Sequence, residues 1–167
     1  MQEQPMQQRA LLIEPSAHMA GLVAVMLRSL GIKTIDTVQT LAQAAMSLGR
    51  TSYDLVMLDG DAGAADGFEF MRALRNNVDH ANRHVPIIMM ASAPGAAMIT
   101  AARDAGVNEF LRKPFSSEHI RMRLDSINRG NRAFVEAEGY AGPDRRRKRV
   151  AVKSPRRASD GEGKPAA

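Results

Sequence analysis

The 167-residue sequence predicts an α/β fold: a doubly wound, five-stranded parallel sheet covered by helices on both faces, followed by a disordered basic tail. Three observations carry that prediction. Five short apolar runs alternate with five segments of helical periodicity, and parallel strands need such crossover helices. Glycines and capping residues punctuate the segments. Beyond Gly139 the chain turns to Gly, Pro, Ser, Ala and Arg, a composition that cannot offset its own ordering entropy.

Residues 1–8 are polar and expected to be disordered. Ala10-Leu11-Leu12-Ile13 reads as a buried strand, and Glu14-Pro15-Ser16 as the start of a helix that carries Met19, Leu22, Val23, Met26, Leu27 and Leu30 at helical spacing up to Gly31. Ile32 to Thr37 is a second strand and Leu41 to Leu48 a second helix, closing at Gly49. Tyr53 to Leu58 gives the third strand, Gly60 to Gly67 a turn-rich loop, and Phe68, Phe70, Met71 and Leu74 the apolar face of the third helix. Val85 to Met90, the alanine-rich helix Ala96 to Ala105, and Val107 to Leu111 follow. Ser116-Ser117-Glu118 caps a last helix with Ile120, Leu124 and Ile127, and Phe134 and Val135 are read as extending it across 130–138. The expected domain is 9–129 and the expected tail 139–167. Strand order is not legible from periodicity.

With no cysteine, disulfides and thiolate metal sites are excluded. The apolar runs are short and the first residues (Gln2, Glu3, Gln4, Gln7, Gln8) polar, so a cytoplasmic protein without signal peptide or membrane span is expected. The net charge of +5 is unevenly placed. From Gly139 onward nine basic residues face three acidic ones, which leaves the preceding body close to neutral.

Asp59 ends the run Leu55-Val56-Met57-Leu58, and Lys113 precedes Pro114-Phe115 after Glu109-Phe110-Leu111-Arg112. Both fall at the carboxyl ends of expected strands, where doubly wound sheets hold their sites. Together with Leu11-Leu12-Ile13-Glu14, Asp66-Gly67, Pro86-Ile87-Ile88-Met89-Met90 and Ala105-Gly106, these residues give the chain a resemblance to CheY-like response-regulator receiver domains over about 9–129. The resemblance implies a flavodoxin-like (βα)5 sheet in the order 2-1-3-4-5 and signalling without catalytic turnover. It implies Asp59 as phospho-acceptor, Glu14 with Asp59 as Mg²⁺ ligands, Lys113 as the phosphoryl-pairing lysine, Phe110 as an aromatic switch, and a histidine kinase as a partner.

Two positions depart from that pattern. A carboxylate that attacks a phosphoryl group needs the accumulated charge offset by Mg²⁺, held through one or two carboxylates. Pro15 stands at the family's second acidic position and has no side-chain oxygen, so metal binding is weakened rather than excluded. Ala91 stands where a hydroxyl meets the phosphoryl group; Ser92 follows it, but neighbouring strand residues face opposite ways. Asp59 and Lys113 thus have two readings, a structural pair that ends two strands or a live phosphorylation site. Phe110 is either core filler or a switch.

Other polar candidates carry less. His80 and His84 share i, i+4 spacing in a polar linker with Asn77, Asp79 and Asn82 and read as a solvated loop; His18 and His119 stand alone. Most of the eleven methionines lie on expected core faces. Gly60-Asp61-Ala62-Gly63 lacks the lysine and helix start of a phosphate loop.

The tail begins Tyr140-Ala141-Gly142-Pro143-Asp144-Arg145-Arg146-Arg147-Lys148-Arg149 and continues to Arg156-Arg157. Guanidinium planes bind phosphate bidentately, pair with guanine O6 and N7 and stack on bases. Asp144 suits a guanine edge and Tyr140 a stacking platform. Such a set suits a guanine-bearing phosphodiester such as cyclic di-GMP, and Arg145 and Arg149 repeat the R-x-x-x-R spacing of PilZ domains, although no PilZ barrel fits in so few residues. A closer resemblance is to the alphaproteobacterial Cle group of CheY-like proteins, receivers with an arginine-rich extension that bind cyclic di-GMP and act at the flagellar motor. The competing readings are an ordinary phospho-receiver and a nonspecific nucleic-acid-binding tail.

Overall fold

The computed structural model describes residues 9–130 and 132–146. Five parallel strands, β1 (Arg9–Ile13), β2 (Thr34–Val38), β3 (Leu55–Asp59), β4 (Ile87–Ala91) and β5 (Glu109–Arg112), pair in the order β2-β1-β3-β4-β5. The crossovers are α1 (Ala17–Ser29), α2 (Leu41–Arg50), α3 (Ala64–Asn76) and α4 (Ala96–Asp104), with α5 (Ser117–Gly130) after β5. This is the flavodoxin-like sheet expected from the sequence.

Strand residues alternate between two apolar layers, as the period of two requires. Leu11, Ile13, Val56, Leu58, Ile87 and Met89 pack with Ala44 and Leu48 of α2, Met71 and Leu74 of α3 and Ala102 of α4. Ala10, Leu12, Leu55, Met57, Ile88, Met90 and Leu111 face the other way, onto Ala20, Val23 and Leu27 of α1 and Ile120 of α5. Burial of each large side chain contributes roughly 1.5–3 kcal/mol, which makes the sheet a rigid platform for its loops. Local signals start the helices. The Ser16 hydroxyl accepts from the Met19 amide, and Thr40 with Gln43 forms a reciprocal capping box on α2.

Three segments differ from the sequence expectation. The loop after β3 is shorter than Gly60 to Gly67, because α3 begins at Ala64 and Gly67 already lies against Leu58. The polar linker after α3 is bolted down: Asn82 is buried, its amide donates to the carbonyls of Leu48 and Thr51, and its Oδ1 accepts from the Tyr53 amide. The largest difference lies beyond α5.

The helix does not continue through Phe134 and Val135. Residues Phe134–Ala137 form β6 and Tyr140–Pro143 form β7, an antiparallel hairpin closed at Glu138 and Gly139, where Gly139 has φ of 75°. The physical reason is a better home for the Phe134 ring than a helix face. It lies 4.1 Å from the His84 ring and under the guanidinium of Arg83, and Arg83 also pairs with Glu136 at 2.7 Å. Residues 139–143, assigned to the disordered tail from composition, are therefore ordered. Arg147, Arg149, Arg156 and Arg157 lie outside the described residues.

Candidate functional site

The carboxyl ends of β1, β3 and β5 bring Glu14, Asp59 and Lys113 together. Glu14 follows Ile13, Asp59 is the last residue of β3, and Lys113 follows Arg112; the two carboxylates are buried. Lys113 Nζ lies 2.6 Å from Asp59 Oδ1, 3.2 Å from Asp61 Oδ2 and 3.7 Å from Glu14 Oε2. Asp59 also accepts from the amides of Asp61 and Ala62, at 3.3 and 3.2 Å, and Glu14 Oε1 accepts from the Ser16 amide. Glu14 Oε2 is buried without a hydrogen-bond partner, 3.7 Å from the lysine charge.

Burial alone would push the Lys113 ammonium down, but its hydrogen bonds to Asp59 and Asp61 and the nearby Glu14 outweigh this and raise it above the ordinary lysine value of 10.5. A cation whose folded value is raised stabilises the fold fully below pH 10.5, and the contribution is lost as pH climbs through the higher folded value. The expected result is a thermal midpoint that falls at alkaline pH in the wild type by more than in Lys113→Met. Parallel midpoint-versus-pH curves for the two proteins would reject the pairing.

The sequence brought Glu14, Asp59 and Lys113 into one site and missed Asp61. That residue sits two positions after Asp59 in a loop without periodicity, and its carboxylate accepts from both the amide and the hydroxyl of Ser92 at 2.8 Å. Ser92 thus does face the site, because it stands just past the end of β4 (Ala91), where strand alternation no longer governs direction. Ala91 itself is buried and supplies no hydroxyl. Phe110 is half-buried and packs against the layer shared with α2, α3 and α4.

Glu14, Asp59 and Asp61 converge on an ammonium. Among the described residues no group of three or more acidic or imidazole side chains is arranged to hold a metal ion. Glu14 and Asp59 are the carboxylates that would hold a Mg²⁺ there; Pro15 adds no oxygen, and the single Lys113 ammonium offsets only one of the three nearby negative charges.

The tail residues sit at the other end of the sheet, where the hairpin docks beside α3, Arg83 and the turn at Gly106. Tyr140 is buried rather than offered to solvent: its hydroxyl donates to the Pro143 carbonyl, and the Arg145 guanidinium covers its ring at 4.4 Å. Burial, more than any neighbouring charge, raises the Tyr140 hydroxyl above its ordinary value. Arg145 also pairs with Asp104, the last residue of α4, at 2.7 Å. The Asp144 amide donates to the Ala133 carbonyl and its Oδ1 accepts from the Arg146 amide. Tyr140, Asp144, Arg145 and Arg146 are therefore neighbours on one built surface.

Comparison with known proteins agrees with this geometry. A family model described as response regulator receiver domain matches residues 10–125, so the hairpin lies beyond the matched region. The chain is 25% identical over 119 residues to chemotaxis protein CheY-3 of Vibrio cholerae, covering 71% of this chain and 90% of that protein. It is 30% identical over 121 residues to the transcriptional regulatory protein TcrA of Mycobacterium tuberculosis, covering 72% of this chain and 46% of that one. Among solved structures, the receiver domain of the Pseudomonas aeruginosa sensor histidine kinase PA1611, which has a magnesium ion coordinated in its active site cleft, superposes with a TM-score of 0.62 at 29% identity, covering 73% of this chain and 98% of that one. CheY4 of Vibrio cholerae superposes at 0.64 with 21% identity, over 72% and 98% of the two chains, a likeness of fold. No helix among the described residues is long and apolar enough to cross a membrane.

Proposed function

The chain belongs to the response regulator receiver family, and from that premise we propose that it is a signalling adaptor whose arginine-rich segment binds cyclic di-GMP. The bound form then regulates a partner protein, such as the flagellar motor switch, by contact rather than turnover. One observation carries the reading: the arginine-rich segment starts on a hairpin docked to the receiver, with Arg145 stacked on Tyr140 and paired to the end of α4. A guanine base presents a flat face to a guanidinium and edge N–H groups to a carboxylate such as Asp144. A ligand that draws Arg145 away from Asp104 is felt at α4, on the family's usual output face. Arg147, Arg149, Arg156 and Arg157 complete the proposed phosphate contacts.

Calorimetry of the full chain with cyclic di-GMP tests it. Micromolar binding that survives substantial salt, and weakens about tenfold or more in Arg145→Ala/Arg146→Ala, is expected. No heat at micromolar ligand would sink the reading. Binding of every polyanion alike, collapsing as salt rises, would indicate the nonspecific nucleic-acid tail instead.

A further inference from the structure

Few groups donate into the Asp59 end of the sheet, and Asp61 takes the useful ones. Its Oδ1 accepts from the Ser92 amide at 2.8 Å, and its Oδ2 from the Ser92 hydroxyl at 2.8 Å and from Lys113 Nζ at 3.2 Å. Both oxygens are engaged, and the loop after β3 is thereby tied to the loop before α4. A carboxylate that accepts from an amide, a hydroxyl and an ammonium at once is held in its charged form.

We propose that Asp61 is the built-in anion of this site: its carboxylate takes the Ser92 donors and shares the Lys113 donor with Asp59, groups that a phosphoryl group on Asp59 would require, locks the two loops together without phosphorylation, and makes Asp59 a poor acceptor. The proposal rests on the family assignment of Asp59 and is independent of the nucleotide reading of the tail. The chemistry follows from charge. When Asp59 attacks an acyl phosphate, a new bond forms between its carboxylate oxygen and phosphorus. The donor's own phosphorus–oxygen bond breaks, and acetate leaves with the electron pair. The transferred group brings oxygens that need donors close to Lys113, which lies 2.6 Å from Asp59. With Asp61 in place those oxygens meet a second carboxylate whose partners are already committed, and repulsion replaces stabilisation. The hydroxyl lost at Ala91 is thus not replaced by Ser92, because Asp61 holds Ser92.

The test uses the full chain, Asp61→Ala, Asp61→Asn and Asp59→Asn/Asp61→Ala, incubated with acetyl phosphate and excess Mg²⁺ and read by intact mass. Labelling in Asp61→Ala is expected to be about 10- to 100-fold faster than in the wild type, the factor set by freeing charge-assisted donors, and to be absent from the double variant. Asp61→Asn, which keeps an acceptor for the Ser92 amide but loses the charge, should fall between. A second readout does not depend on phosphorylation: hydrogen exchange at the Ser92 amide, slow in the wild type, should speed up in Asp61→Ala. Wild-type labelling as fast as that of Asp61→Ala overturns the proposal. So does a folded Asp61→Ala that stays unlabelled, or Ser92 exchange unchanged by the substitution.

Discussion

Replacing Arg75 with alanine is expected to lower the unfolding free energy by about 3–5 kcal/mol, measured by urea denaturation followed by circular dichroism. Arg75 lies near the carboxyl end of α3 and is 1% exposed, although charged residues are almost never fully buried unless paired. Burial pushes its guanidinium down to about 10, so the group is still a cation at neutral pH. What compensates is a set of oxygens: Nε and Nη2 donate to the Gly106 carbonyl at 3.1 and 3.0 Å, Nη2 also to Asn108 Oδ1 at 3.0 Å, and Nη1 to the Arg83 carbonyl. Alanine leaves two carbonyls and an amide oxygen without this donor and opens a cavity under the hairpin. Lysine should rescue only part of the loss, because a compact ammonium cannot span acceptors arranged for a planar fork. A loss below about 1 kcal/mol for Arg75→Ala would mean that water takes over these contacts.

The second large effect is expected at Gly106, the turn that carries those acceptors. Gly106→Ala should cost about 2–4 kcal/mol, in part because the residue has φ of 92°, where a side chain is strained. The rest is steric. A Cβ there would stand 2.8 Å from Arg75 Cγ and 3.1 Å from the Ala141 carbonyl oxygen of the hairpin. Because Arg75 and Gly106 share one network, the double variant should lose less than the sum of the two single losses. Strict additivity in the urea series would separate the two and refute the shared network.

These two residues also show why the receiver body was legible and the hairpin was not. Short continuous apolar runs and helical spacing placed five strands and five helices, because the strands are buried on both faces and each helix buries one face against them. Asp59 and Lys113 were legible for the same reason, since strand ends are marked by where the apolar run stops. Phe134 and Val135 gave no such signal: β6 and β7 carry no run of apolar residues longer than two, and a helix ending at Gly130 looks open to extension. A phenylalanine and a β-branched valine, followed within four residues by Gly139, was the hint of a hairpin. Composition misled at Tyr140, because the glycine and proline beside it serve close packing there. Gly142 approaches so near that an added Cβ would lie 2.9 Å from Gly106 Cα. Asp61 was illegible because loop carboxylates have no period, and its partner Ser92 is distant in sequence.

Helix α4 has a mechanical character that follows from its two ends. Among its nine residues only Ala102 is fully buried. Just before it, Ser92 is gripped by Asp61, and at its last residue Asp104 is gripped by Arg145 of the extension. It is a beam bedded on Ala102, with Met98 and Ala101 beside it, and pinned at each end by an exposed polar contact that belongs to a different part of the chain.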